Sequence, residues 1–129
     1  MAMRIAFACL LAGLIALPAL APALAQQRGD SFGAIAYGAK HSSFGDDYGA
    51  TTPQEARQKA LAYCSRNSDD CQVVTNFSNT CAAVAVNAGG KTFVQTDARR
   101  GNAENFARQA CLKRDPAGCR IADSICAER

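Results

Sequence analysis

Residues 64 to 71 read CSRNSDDC and residues 111 to 119 read CLKRDPAGC, and the same kind of segment leads into each. Ahead of the first lie Ala56, Ala60 and Cys64, four residues apart; ahead of the second lie Ala103, Ala107 and Cys111 at the same spacing. Small residues at that interval form one narrow stripe of a helix, so each stretch predicts a helix that ends in a cysteine and lies close on its neighbour. A polar turn, a second cysteine and an apolar run follow in both cases, CQVVTNF and CRIADSIC.

The repetition extends upstream. Phe32 to Tyr37 (FGAIAY) is echoed by Cys81 to Val86 (CAAVAV), and both read as short buried strands. KHSSFGDDYGA follows the first and NAGGKTFVQTDA the second, each with turn residues and then an aromatic-bearing strand around Tyr48 and Phe93, which predicts a hairpin in each half. Thr52-Pro53-Gln54-Glu55 combines an N-cap hydroxyl, a proline at the first helical position and a carboxylate able to reach back, so the first helix starts there. Along it Arg57, Gln58 and Lys59 face outward. In the second helix Phe106 and Ala110 widen the buried stripe, and Glu104 and Arg108 form a water-facing pair.

Two tandem strand-strand-helix-strand units result, about 32–80 and 81–126. Two units are too few for a solenoid, which needs roughly three or more repeats to bury a continuous core. The expected fold is therefore α+β: one compact, pseudo-twofold, disulfide-stapled domain over 32–129.

Residues 1–25 carry a single charge, Arg4, then an apolar run broken by Pro18 and Pro22, then Ala23-Leu24-Ala25. This is the pattern of a cleaved secretory signal peptide, with 26–31 as a flexible N-terminus after it. A spanning helix needs roughly 20 continuous apolar residues, so stable membrane insertion is not expected. Cys9 lies near the start of the apolar run, too early for a lipid-attachment site, and leaves with the signal. Periplasm or medium is the expected address.

Six cysteines then remain: Cys64, Cys71, Cys81, Cys111, Cys119 and Cys126. An even number in a small exported chain reads as a disulfide framework. Six thiols allow 15 pairings, and the repeat points to Cys64 with Cys71, Cys111 with Cys119, and Cys81 with Cys126, the last tying the halves together. Structural zinc takes cysteine pairs about two to four residues apart; the gaps here are six and seven residues, and His41 is the sole histidine. No metal and no cofactor are expected. Nor is there a C-x-x-C that would lower a thiol pKa for redox work.

At this point the residues resemble a family. FGAIAY, a T-P-x-E-A helix ending in cysteine, CQVV, an N-x-C-x-A-x-A-V strand and a second helix-Cys-loop-Cys unit together are similar to a bacterial exported cysteine-rich family, domain of unknown function 4189. The similarity runs from Phe32 to Cys126 and rests on the order of the motifs. It implies a small stapled domain and supplies no reaction or catalytic residue. Many members carry an aromatic where this chain has Asn76, and a Trp in the second half where this chain has none, so nothing is carried over about a surface built on them.

Without residues 1–25 the chain holds 13 basic and 11 acidic residues, a net charge of +2. Nucleic acid or anionic membrane binding needs clustered cations, and Arg99-Arg100 is only a pair. The hydrolase, zinc-protease and phosphate-loop patterns are absent from the sequence. His41 has Ser42, Ser43, Asp46 and Asp47 nearby, but hairpin neighbours do not supply triad geometry, and the histidine reads as a solvated loop residue. Asp46-Asp47 and Asp69-Asp70 read as turn and surface residues.

The expected function is a binding module whose hairpin loop, with His41, Phe44, Asp46, Asp47 and Tyr48, contacts a protein or envelope component, as an inhibitor or immunity-type protein does. Two rivals stand beside it: an enzyme of unfamiliar type using His41 with an acidic partner, and a structural envelope or stress protein.

Overall fold

A computed structural model describes residues 29–128. The expected signal peptide and residues 26–28 lie outside them. Eight elements follow in order: β1 (Phe32–Gly38), β2 (Ser43–Ala50), α1 (Pro53–Cys64), β3 (Gln72–Ser78), β4 (Cys81–Val86), β5 (Thr92–Asp97), α2 (Arg100–Leu112) and β6 (Arg120–Cys126). They form two antiparallel three-stranded sheets, ordered β2-β1-β3 and β5-β4-β6. Each half thus builds its own sheet and its own helix.

The central strands explain how the halves combine. In β1, Ala34 and Ala36 face α1, where they bury Ala56, Ala60 and Cys64. Ile35 and Tyr37 point the other way, into a core shared with Val84, Val86 and Ile125 of the second sheet. Likewise Ala83 and Ala85 face Ala103, Ala107 and Cys111 of α2. The layers therefore run helix, sheet, sheet, helix, with alanines where a helix must approach closely and larger side chains where two sheets meet. A strand covered on both faces reads as an unbroken apolar run, as FGAIAY and CAAVAV do.

The repeat descends to fine detail. β1 and β4 break register with β3 and β6 at matching places, between Ile35 and Ala36 and between Val84 and Ala85. Thr52 caps α1, its Oγ1 accepting from Glu55 N–H at 3.1 Å. The Glu55 carboxylate reaches one residue further back than a capping box requires, to the N–H and hydroxyl of Thr51. By contrast α2 starts at Arg99 with no side-chain cap.

Three disulfides join Cys64 to Cys71, Cys111 to Cys119 and Cys81 to Cys126. The first two bridge a helix end to the loop before the next strand, at Cα separations of 6.0 and 5.9 Å. The third corrects an expectation. Cys81 and Cys126 face each other across β4 and β6 of one sheet, so this bridge closes the second half and does not link the halves. What joins the halves is the apolar seam.

Other expectations also change. Glu104 turns inward, where its Oε1 accepts from Ser124 Oγ of β6 at 2.5 Å, leaving Arg108 to water. Phe106 lies outside the buried stripe, 45% exposed. Residues 30 and 31, read as part of a flexible terminus, are tied to Asn79: its Oδ1 accepts from Ser31 N–H and its Nδ2 donates to Asp30 Oδ1, both at 2.9 Å. Asn79 adopts φ +52°, a left-handed conformation asparagine tolerates better than most residues.

Candidate functional site

The residues expected to form a contact loop divide between a turn and a strand. His41 sits exposed in the turn between β1 and β2. That turn is anchored by its neighbour Lys40, whose N–H donates to Asp70 Oδ2 at 2.9 Å and whose Nζ pairs with Asp69 at 3.0 Å. Asp69 and Asp70 are thus turn anchors. Phe44, Asp46, Asp47 and Tyr48 all lie on β2, an edge strand.

Strand alternation sends these side chains to opposite faces. Phe44 points toward the seam, its ring stacked on Tyr37 with centroids 4.6 Å apart. Ser43 faces α1, donating to Cys64 O at 3.0 Å. Gly45 faces it too: a Cβ there would collide with Ala60 O and Cys64 N, so only glycine lets α1 lie this close. Asp46 therefore shares the seam face and Asp47 the helix face. Roughly 10 Å of strand separates the turn from Asp46, so His41 and the two carboxylates are not brought together.

Asp47 lies 4.0 Å from Lys59, which also holds Glu55 at 2.8 Å. Burial raises the Asp47 pKa above the ordinary carboxylate value, with Lys59 opposing. The Lys59 ammonium and then the Thr51 donors hold Glu55 down, to about 2. Asp47 Oδ2 is buried without a hydrogen-bond partner among the described residues.

Two residues absent from the sequence reading complete this region. Tyr63, on the last turn of α1, joins Asp46, Asp47 and Tyr48 in lining a cavity of about 470 Å³. Both tyrosines are open to water, Tyr48 67% and Tyr63 44% exposed, and Arg66 stacks on Tyr63 at 4.6 Å. Tyr63 was findable: it falls one residue off the Ala56, Ala60, Cys64 stripe, on the polar side of the helix. Asp123, in the middle of β6, places Oδ2 in the interior with no hydrogen-bond partner among the described residues. Burial first and repulsion from Asp46 second push its pKa up to about 6, against the Ser124 backbone and Arg100. The signal for Asp123 was a carboxylate in the middle of a strand, between Ile121 and Ile125 at alternate positions.

Pairing registers show what the second half carries at the matching places. Ile35 pairs with Asp46 where Val84 pairs with Val94, Ala34 with Asp47 where Ala83 pairs with Gln95, and Gly33 with Tyr48 where Ala82 pairs with Thr96. One residue before the helix-ending cysteine, Tyr63 corresponds to Ala110. Asp123, which pairs with Val84, has Thr75, which pairs with Ile35, as its counterpart in the first half. Two carboxylates and two exposed tyrosines thus occupy one half alone. They combine carboxylates with exposed aromatic rings, beside Lys59 and Arg66, a surface suited to contact with an amphipathic partner.

Metal-type side chains gather among the described residues at Cys81, Cys126 and Glu128. Both sulfurs are bonded to each other, which leaves Glu128 as the one available ligand. Among the described residues no helix is long and apolar enough to cross a membrane.

Comparison with solved structures finds the NMR structure of Rv1813c from Mycobacterium tuberculosis, 25% identical, with a TM-score of 0.53, covering 97% of this chain and 98% of that one. No curated protein matches the chain by sequence. The family described as Domain of unknown function (DUF4189) matches residues 32–126, and the chain belongs to it.

Proposed function

We propose that this domain is an exported binding module that engages another macromolecule, in the manner of an inhibitor or immunity protein, through the face formed by β2 and the end of α1. One observation carries the reading. In a fold built twice, Asp46, Asp47, Tyr48 and Tyr63 stand where the other half has Val94, Gln95, Thr96 and Ala110, and that half folds on the same plan without them. Scaffold requirements therefore do not account for the four. Exposed tyrosines supply large contact area at low conformational cost and recur at the energetic centres of interfaces. Export is supported by the pattern of residues 1–25 and by three disulfides, which persist in oxidising compartments.

The test is affinity capture from envelope and culture fractions with the oxidised protein beside Tyr48→Thr/Tyr63→Ala, which gives the first half the residues of the second. A protein retained by the parent and lost by the variant, at equal melting temperature, is the expected result. Identical capture by both, or none by either, refutes the proposal.

A further inference from the structure

We propose that the cavity at the hairpin end of the sandwich binds a small ligand through an oxyanion, a carboxylate or a phosphate, with Arg120 as its counter-charge. This site is separate from the β2–α1 face and stands whether or not that face binds a partner.

The cavity measures about 380 Å³ and draws on both halves. Tyr37, Ala39 and Ser42 come from β1 and its turn, and Val86 to Gly90 come from β4 and the corresponding turn. Gly118 and Arg120 close it from the entry to β6. Small-molecule sites span roughly 300–1,000 Å³, so this one fits a compact ligand. Small residues keep it open. Gly90 takes φ +80°, and a Cβ there would lie 3.4 Å from Ala39 Cβ and 3.7 Å from the Tyr37 hydroxyl; one at Gly118 would lie 3.1 Å from Ala88 Cβ.

Charge and donor placement select the ligand. Arg120 is the one charged lining residue, and it makes no ion pair among the described residues. No carboxylate is among the lining residues; Asp115 stands beside Gly118, its Oδ2 3.4 Å from where a Cβ there would lie, and its Oδ1 accepts from Ala117 N–H at 3.4 Å. Asn87 uses its oxygens within the turn, Oδ1 taking the Lys91 N–H at 2.8 Å and its carbonyl the Gly90 N–H at 3.0 Å. Its side-chain NH₂ remains as a donor. With the Tyr37 and Ser42 hydroxyls, the wall offers donors around one guanidinium, a combination that receives an anion and repels a cation.

Titration of the ¹⁵N-labelled oxidised protein with N-acetylglycine, N-acetylglycinamide and sodium phosphate tests this. N-acetylglycine or phosphate should shift the amides of 39–42, 87–90 and 118–120 saturably, and whichever saturates names the oxyanion. The neutral amide should leave them in place. Arg120→Gln, at an exposed position, should weaken the response on the order of tenfold with the remaining spectrum unchanged. The proposal is overturned by absence of saturation with both anions, by equal shifts with the amide, or by an Arg120→Gln protein that binds as the parent does.

Discussion

Where the second half pairs Cys81 with Cys126 across its sheet, the first pairs Phe32 with Ser78. Where the first half exposes Tyr48 and Tyr63 beside two aspartates, the second has Thr96, Ala110, Val94 and Gln95. The helices differ in the same way. α1 lies on the bare backbone of Gly45, whereas the matching residue Phe93 packs its ring against the α2 cluster. One half is closed by an added staple and exposes Phe106 and Leu112 on α2, while the other lacks the staple and carries the charged, aromatic face.

The largest effect should come from the staple. Its 45-residue loop corresponds to about 4 kcal/mol of chain entropy, against about 2.4 for the seven-residue Cys64–Cys71 loop. Denaturant melts of Cys81→Ser/Cys126→Ser and Cys64→Ser/Cys71→Ser should rank in that order, and the reverse ranking would remove the distinction between a stapled half and a free one.

Next comes the tight contact at Gly45. Gly45→Val must push α1 off β2 and should cost about 2–3 kcal/mol of stability, measured in urea. Phe93→Val, at the matching place, leaves space instead of a collision, and its loss should come with an unchanged α1 spectrum.

The acidic seam predicts a pH dependence. Folding raises the Asp123 pKa from its ordinary value of 3.8 to about 6. The folded state therefore holds this proton more tightly than the unfolded chain, and the resulting stability is present below about pH 4 and lost between there and pH 6. Asp123→Asn should remove that loss, raising stability at pH 7 by on the order of 1 kcal/mol. Melting curves across pH 4 to 7 on both proteins check it, and parallel curves would show that burial, with Asp46 behind it, does not raise the Asp123 pKa.

The smallest effect concerns the caps. Thr52→Ala should cost about 1 kcal/mol, while Arg99→Ser should gain about 0.5 by supplying α2 with the cap it lacks. Thermal melts resolve both signs.

Much of this architecture was readable because it is local. Helix starts and stops, the alanine stripes and the short cysteine loops depend on neighbours within a few turns. What required the structure depends on packing between distant segments. Asp46 meets the field of Asp123 only because β2 and β6 stack across the seam. Glu104 prefers Ser124 over Arg108 because β6 runs beneath α2. Cys81 and Cys126 were the pair left over once the repeated loops took the other four, and their placement inside one sheet follows from strand order, which sequence separation does not encode. His41 drew notice for its chemistry, and the turn holds it away from every carboxylate that invited the idea.

The central proposal is that the two halves share a scaffold and that the β2–α1 face of the first engages the macromolecular partner. Amide hydrogen exchange of the oxidised protein with and without its captured partner tests it most directly. Added protection should fall on residues 43–50 and 60–66 and leave 92–97 and 103–112 unchanged. Protection on the β5–α2 side, or spread equally over both halves, would contradict the account.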